Sequence, residues 1–232
     1  MEIAPKSEGD HIAAARAALI SAALPHVAFD GWSRRTLDAA IADSGVDRGL
    51  AALAFPRGGV DMALGFHRMM DVRLADELSR VELSRMKVRE RVTFAVRRRI
   101  ELVEGQRDAV RRGATLLALP IHARDSAAAI WGTADLIWKL CGDTSTDYNW
   151  YSKRAILASV YSATVLYWLG DESAGSQNTW GFLDRRIDNV MSFEKLKAQA
   201  QANPLARAAF WLPGQVLGRI RAPRGAGGSG GA

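Results

Sequence analysis

Ala155–Leu169 is fifteen residues without a single charge, and it follows directly on the polar stretch Asp143-Thr-Ser-Thr-Asp-Tyr-Asn-Trp-Tyr-Ser-Lys-Arg154. A helix with no charged face has little to offer water, so the run predicts a helix buried on most sides. Such a helix must be wrapped by others, which already limits the fold. The polar stretch supplies its start: Thr146 or Asp147 can accept hydrogen bonds from the free amides of the first turn. With a start near Asp147, the residues Asp147, Trp150, Tyr151 and Arg154 stand at i, i+3, i+4 and i+7, on one stripe. Trp, Tyr and Arg are the residue types enriched at binding hot spots. The spacing therefore predicts a partner surface attached to a buried core.

No stretch alternates apolar and polar residues for long enough to make a strand, and helical spacing runs through the chain. Helices are expected at 10–28, with Leu19, Ile20, Ala23 and Val27 inward, at 34–44 behind an N-cap Ser33, and at 47–54. A long helix follows from 60 to 84, with Leu64, Met69, Val72 and Leu78 on its inner face, then helices at 88–104 and 106–119, the latter stopped by Pro120. Asp125 or Ser126 is expected to open 126–141, where Ala127, Ile130, Trp131, Ala134, Ile137, Trp138 and Cys141 form an apolar stripe. Beyond the loop 170–176, Thr179 begins an amphipathic helix through Leu183, Ile187, Val190 and Met191. The chain is thus all-α. Its expected organisation is an N-terminal helical subdomain over 1–57, a main helical domain over 58–195, an amphipathic helix over 203–222 and a Gly-rich tail over 223–232 whose composition predicts no packed structure.

A single cysteine, Cys141, cannot close an internal disulfide, which points to a reducing compartment. The first ten residues have neither the apolar run of a secretory signal nor the Arg-rich, acid-poor character of a mitochondrial presequence. No uncharged run reaches the roughly 20 residues of a membrane span. The basic run between Arg85 and Arg112 is broken by Glu90, Glu101, Glu104 and Asp108, as on a solvated helix face; an anionic surface is the other reading.

Gly31, Trp32, Thr36, Leu37, Ile41, Ala42, Ser44-Gly-Val46 and Phe55 keep the register of a helix-turn-helix, and 31–55 resembles the N-terminal DNA-binding unit of the TetR repressor family. The resemblance implies a recognition helix at Asp47-Arg-Gly-Leu-Ala-Ala-Leu-Ala54. That family places aromatic, hydroxyl and basic side chains here, where this chain has Ala52, Leu53 and Ala54. Arg48, Arg34 and Arg35 can hold phosphates, but little is left to read base edges. The expectation is a repressor-like scaffold with no sequence-specific nucleic acid partner; a ligand-responsive regulator is the alternative.

The last helix has a different character. Asn203 and Pro204 make a cap and first-turn pair. Leu205, Phe210, Trp211, Leu212, Val216, Leu217 and Ile220 supply apolar bulk, while Arg207, Arg219 and Arg221 are its only charges. Residues 203–232 hold four arginines and no acid, against a net charge of +6 for the whole chain. Basic residues opposite Trp, Phe and Leu describe a helix lying in the headgroup region of an anionic membrane. A terminal helix docked on the chain's own core, or on a second copy, fits the same pattern.

No constellation for catalysis stands out. His11, His26, His67 and His122 are scattered, outside any metal-ligand spacing. No phosphate-binding glycine loop or nucleophile elbow is present. Cys141 lies on an apolar stripe, as a core residue does. No catalytic residue, metal or cofactor is expected.

Asp143-x-Ser-Thr-Asp-Tyr-Asn-Trp-Tyr-x-x-Arg154, with Leu119-Pro-x-His122, Trp138 and Thr179-Trp-x-Phe-Leu-x-x-Arg186, is similar to the COQ9 family, accessory proteins of ubiquinone biosynthesis. The resemblance covers about 30–200 and is most specific over 119–191. It implies a TetR-like, all-helical homodimer that is not an enzyme, holds lipids or a polyprenyl-quinone intermediate in an apolar pocket, and binds membrane through its C-terminal helix. It also implies a partner, the di-iron demethoxyubiquinone hydroxylase, docked on Asp147, Trp150, Tyr151 and Arg154 together with Asp135 and Ile137. Ile137 stands where some members have Met. An isoprenoid tail needs an apolar cavity between helices. Met69, Leu116, Leu117, Ile130, Trp131, Ala134, Val160, Tyr161, Val165 and Trp168 are the candidate walls, though each suits an ordinary core better than a lipid contact. The implied location is a bacterial cytoplasm, on the inner face of the cytoplasmic membrane.

The C-terminal reading has a direct test. In co-sedimentation with anionic liposomes the full chain should partition more strongly than a 1–200 truncation. Equal partition would remove the claim.

Overall fold

The computed structural model describes the backbone of residues 8–146 and 148–202, and side chains as far as Val190. Asp147, the expected membrane helix 203–222 and the Gly-rich tail lie outside the described residues, as does the side chain of Met191. Among the described residues there are nine α-helices and no strand: α1 (Glu8–Asp30), α2 (Arg34–Ser44), α3 (Arg48–Ala54), α4 (Gly59–Ser79), α5 (Val88–Glu101), α6 (Arg107–Leu117), α7 (Ala123–Leu140), α8 (Tyr148–Leu169) and α9 (Gln177–Ala202). Short 3-10 turns occupy Leu83–Arg85, Glu104–Gln106, Pro120–His122 and Ala174–Ser176. The chain forms two compact units, one of residues 1–76 and 99–129, the other of 77–98 and 130–232. α4, α5 and α7 each run from one unit into the other.

In the first unit α1 packs against α2, α3 and α6, burying Ala15, Leu19, Ile20, Ala23 and Val27. By length and composition α1 is long and apolar enough to cross a bilayer. Its apolar side nevertheless lines this unit's core. Ser33 caps α2 as expected, its Oγ accepting from the Thr36 amide at 3.2 Å. Gly45 closes α2 in the left-handed region at φ 67°, where glycine carries no Cβ penalty. Asp47 caps α3 by accepting from the Leu50 amide at 3.0 Å. Gly59 starts α4 so close to the Trp32 carbonyl that a Cβ would collide with it. The Trp32 indole in turn donates to the Ala109 carbonyl at 2.9 Å and lies 5.6 Å from the Phe66 ring, tying the helix-turn-helix to α4 and α6.

The second unit's interior is built from Val92, Ala95 and Val96 of α5, Ala134, Ile137 and Cys141 on and just after α7, Leu157, Val160, Tyr161, Thr164 and Trp168 of α8, and Leu183 and Ile187 of α9. Asp171 anchors the turn into α9, accepting from the Thr179 hydroxyl at 2.6 Å, the Thr179 amide at 2.8 Å and the Ser173 amide at 2.9 Å. Those bonds, the Thr179 hydroxyl first, hold its carboxyl well below the usual carboxylate range.

Several expectations are corrected. The long fourth helix stops at Ser79 and gives way to the turn at 83–85. Val72 is 69% exposed rather than inward, since Met70 and Leu74 take the buried positions beside it. α7 begins at Ala123, ahead of the expected cap, and Asp125 instead receives the Arg57 guanidinium at 2.8 and 3.3 Å. Ala127 of the expected apolar stripe is exposed. α8 is not covered all round: Leu166 is 65% and Tyr167 39% exposed. Much of the basic run is tied down inside the fold. Arg91 donates to the carbonyls of Met86, Cys141 and Ser84, Arg98 pairs with Glu77 at 2.7 Å, and Arg99 is buried against Asp71 at 2.6 Å.

Arg99 also donates to the His67 carbonyl at 3.0 Å. Burial, helped by the Arg99 charge, pushes the His67 imidazole down to about 4. Below its ordinary value near 6.5 the unfolded chain binds a proton there that the folded chain refuses. Stability to urea should therefore fall by a one-proton slope as pH drops from about 6.5 to about 4, and His67→Gln should flatten that slope. A wild-type slope unchanged in the variant would refute the assignment.

Candidate functional site

Trp150 and Arg154 of the expected partner stripe face inward, 6% and 1% exposed. The reason is electrostatic. Arg154 donates through Nε to Asp135 at 2.6 Å and through Nη1 to Asp143 at 2.9 Å and to the Trp150 carbonyl at 3.0 Å. Its guanidinium carbon lies 4.1 Å from the Trp150 ring centroid, a cation–π contact within the same helix. Asp135 also takes the Lys139 ammonium at 2.8 Å. Asp143 takes Lys153 at 2.8 Å and the Ser145 hydroxyl at 2.8 Å. Two carboxylates thus face three cations, and α7, the stretch after it and the first turns of α8 are fastened together.

The acids keep their charge in this setting. Burial alone would push the Asp143 carboxyl up, but hydrogen bonds from Lys153, Ser145 and Arg154 outweigh it and hold it at about 2. Asp135 is likewise held below the carboxylate range: burial opposes the shift, and Lys139 and Arg154 overcome it.

Above the ion cluster stand three aromatic rings. Trp150 lies edge-on to Tyr151 at 4.8 Å, and Trp131 is 6.0 Å from Trp150 and 6.4 Å from Tyr151. Trp131 and Tyr151 are half-buried. The Trp150 indole N–H is buried and has no acceptor among the described residues. Ile137, expected at the docking surface, is fully buried, so it can only support such a surface from beneath. Asp135 and Tyr151 retain partial exposure.

The adjacent stripe of α8 opens a groove of about 280 Å³. Asn149, Ser152, Lys153, Ile156, Leu157 and Val160 form its α8 side, Val88, Arg89 and Val92 its α5 side, with Trp138 from α7 and Ile187 and Val190 from α9. The walls are mostly aliphatic, and Asn149, Ser152, Lys153 and Arg89 give it polar groups. The Trp138 indole donates to the Lys153 carbonyl at 2.9 Å, and Arg89 is paired with Asp188 at 2.6 Å. The volume falls just short of the roughly 300–1,000 Å³ usual for small-molecule pockets, so it admits a ring or a short length of chain.

Of the expected lipid walls only Val160 lines this groove. Ala134, Tyr161 and Trp168 are buried in the core of the second unit, and Ile130, Trp131 and Val165 are half-buried there. Met69, Leu116 and Leu117 belong to the first unit. The groove residues on α8 were visible in the sequence as a period of 3.6 beginning at Asn149. Nothing there marked that stripe over its neighbour. A recess of about 450 Å³ in the first unit, between Trp32-Ser-Arg34 and 56–60, contains Arg57, which is already held by Asp61 and Asp125.

The exposed face of α3 consists of Arg48, Gly49, Ala52 and Leu53, with Leu53 62% exposed. Among the described residues no group of three or more His, Cys, Asp and Glu side chains stands ready for a metal. Burial pushes the Cys141 thiol up to about 11, against only a partial pull from Arg91, which leaves it protonated and a poor nucleophile at neutral pH.

Residues 123–194, which hold α7, α8 and most of α9, match the COQ9 family model. This chain is a relative of COQ9. It is 31% identical over 192 residues to "Ubiquinone biosynthesis protein COQ9, mitochondrial" of Drosophila melanogaster, covering 81% of this chain and 59% of that protein. The like-named rat protein is 30% identical over 194 residues, covering 79% and 61%, and the human one 29% over 194 residues, covering 79% and 60%. The chain thus spans about 60% of the length of the curated COQ9 relatives it matches. Among solved structures, a TetR transcriptional regulator from Nitrosomonas europaea superposes with a TM-score of 0.61 at 20% identity, covering 75% of this chain and 96% of that one. The fold is therefore TetR-like. The COQ9 match falls on the ion cluster, the aromatic rings and the α7–α9 walls of the groove.

Arg154→Met should remove the cation between Asp135 and Asp143 and destabilise the protein by about 3–5 kcal/mol in urea unfolding. Asp143→Asn should abolish the part of acid unfolding that sets in below pH ~4 and ends near pH ~2, because a depressed carboxyl contributes stability only while ionised. An Arg154→Met protein as stable as wild type would show that the cluster is not structural.

Proposed function

We propose that this chain is a non-enzymatic accessory protein of ubiquinone biosynthesis, which binds a polyprenyl-quinone intermediate at the membrane and presents it to the di-iron demethoxyubiquinone hydroxylase. The observation that carries the reading is the COQ9 match over 123–194, which falls on the α7–α9 part of the groove and on the Arg154 cluster. The groove offers aliphatic walls to a tail segment or ring, and its polar residues suit a ring's oxygen atoms. The hydroxylase docks on Tyr151, Trp131 and the exposed edge of Asp135. Trp150 and Arg154 act beneath that surface and hold the rings in place.

The redox metal belongs to the hydroxylase, and the accessory protein lowers the cost of moving an apolar tail, about 0.8 kcal/mol per exposed CH₂. The chain works at the inner face of a bacterial cytoplasmic membrane as a homodimer. The exposed Leu166 and the Tyr167–Phe182 stack at 4.5 Å support a covered α8–α9 face. A ligand-responsive regulator is the second reading, favoured by the TetR-like fold alone. The Ala52–Leu53 face of α3 supports the first, since it lacks side chains that read bases.

Native mass spectrometry of the purified chain should show a bound isoprenoid or lipid, and Val88→Asp at the groove rim should remove it with the fold intact. Tyr151→Ala should weaken capture of the hydroxylase by roughly tenfold or more. A chain that purifies empty and binds upstream DNA sequence-specifically would overturn the reading.

A further inference from the structure

The first unit carries a short apolar turn that is exposed among the described residues. Residues 116–121 read Leu-Leu-Ala-Leu-Pro-Ile, six in a row without a charge. α6 ends at Leu117, and Ala118, Leu119, Pro120 and Ile121 are then all exposed, Leu119 at 47% and Ile121 at 80%. On a helix resting against a core, exposure rises and falls with the helical period. Four exposed residues in succession mark a turn that stands out from the surface. α7 extends the apolar skin, with Ala123, Ala127 and Ala128 exposed. Isolated exposed aliphatic residues are common, but a contiguous projecting run is the mark of a contact site.

Charge indicates what the site meets. Arg111 and Arg112 of α6 and Arg124 of α7 are exposed on either side of the turn, Arg112 with one guanidinium nitrogen donating to the Ala28 carbonyl at 3.0 Å. The nearest acid, Asp125, is occupied by the Arg57 fork at 2.8 and 3.3 Å, which leaves Asp108 as the exposed acid of this segment. Shape and composition argue against a protein partner. Residues 107–129 contain no Phe, Trp or Tyr to anchor a hot spot. A three-residue 3-10 turn also offers far less than the roughly 800 Å² per side of a stable protein interface. A fluid lipid surface needs no shape complementarity, because it closes around whatever apolar tip enters.

We propose that the 118–121 turn is a membrane-contact wedge. Leu119 and Ile121 enter the acyl boundary of an anionic lipid surface, while Arg111, Arg112 and Arg124 meet the headgroups. Pro120 fixes the backbone of the tip at φ near −65°, so little chain entropy is lost on entry. The wedge is a different stretch of the sequence from 203–222 and does not depend on the ubiquinone reading. Its failure would leave that reading standing.

The test uses the full chain carrying Ile121→Cys, labelled with an environment-sensitive fluorophore. Cys141, the one native thiol, is buried and protonated, so the label goes to the new site. Phosphatidylcholine vesicles containing phosphatidylglycerol should shift the emission to the blue, and phosphatidylcholine alone should do so more weakly. A label on Val72→Cys, an equally apolar position 69% exposed on α4, should keep its aqueous spectrum. Leu119→Asp with Ile121→Asp should lower the vesicle partition coefficient about tenfold while the circular dichroism stays unchanged. No blue shift at 121, an equal shift at 72, or an unchanged partition coefficient would overturn the proposal. A blue shift that grows with protein concentration in the absence of vesicles would overturn it too, and would give the turn to a second copy of the chain.

Discussion

A buried arginine organises the second unit. Taking a guanidinium out of water costs several kcal/mol unless its charge and its donors are met. Arg154 is 1% exposed, and it is met by Asp135 from α7, by Asp143 from the stretch after it, and by the Trp150 carbonyl one turn back on α8. None of these three segments can move without stranding a charge. The Trp150 ring lies over the same guanidinium, so the aromatic surface at the start of α8 inherits its geometry from the ion cluster.

The same acid reaches the groove. Asp143 holds Arg154 with one oxygen and Lys153 with the other, and Lys153 lines the groove. Consecutive residues on a helix point about 100° apart, so Lys153 and Arg154 serve neighbouring faces of α8 from a shared anion. The proposed docking surface and the proposed ligand groove are therefore linked by a few side chains. Substitution at either residue is expected to be felt on both faces, and a double-mutant cycle is the suitable way to apportion the effect.

The first unit separates what its geometry requires from what it leaves open. The helix-turn-helix keeps the features its geometry requires: the Ser33 cap, the left-handed Gly45, the Asp47 cap and a glycine where α4 meets Trp32. Those are demands of backbone closure and packing. The outward face of α3 carries no such demand, and there Ala52 and Leu53 stand exposed, with no group that can read a base edge.

Most of the elements were legible in the sequence, because helical period, caps and Pro/Gly punctuation are local. α2 was placed at its observed ends by Ser33 and Gly45, and α8 by the polar stretch ahead of an uncharged run. Helix ends without a strong local signal, such as Ser79 and Ala123, were misjudged. The site was legible only as a set of residues sharing a stripe. Spacing shows that Trp150, Tyr151 and Arg154 lie together, but amphipathic side chains of this kind can face water or a core equally well. The direction was decided by Asp135 and Asp143, nineteen and eleven positions away from Arg154, whose approach no local pattern encodes. The sequence by itself determined an all-helical chain with a repressor-like start and a COQ9-like centre. The tertiary structure alone decided which face of α8 is interior, because the energy of a buried charge depends on partners that only folding brings within reach.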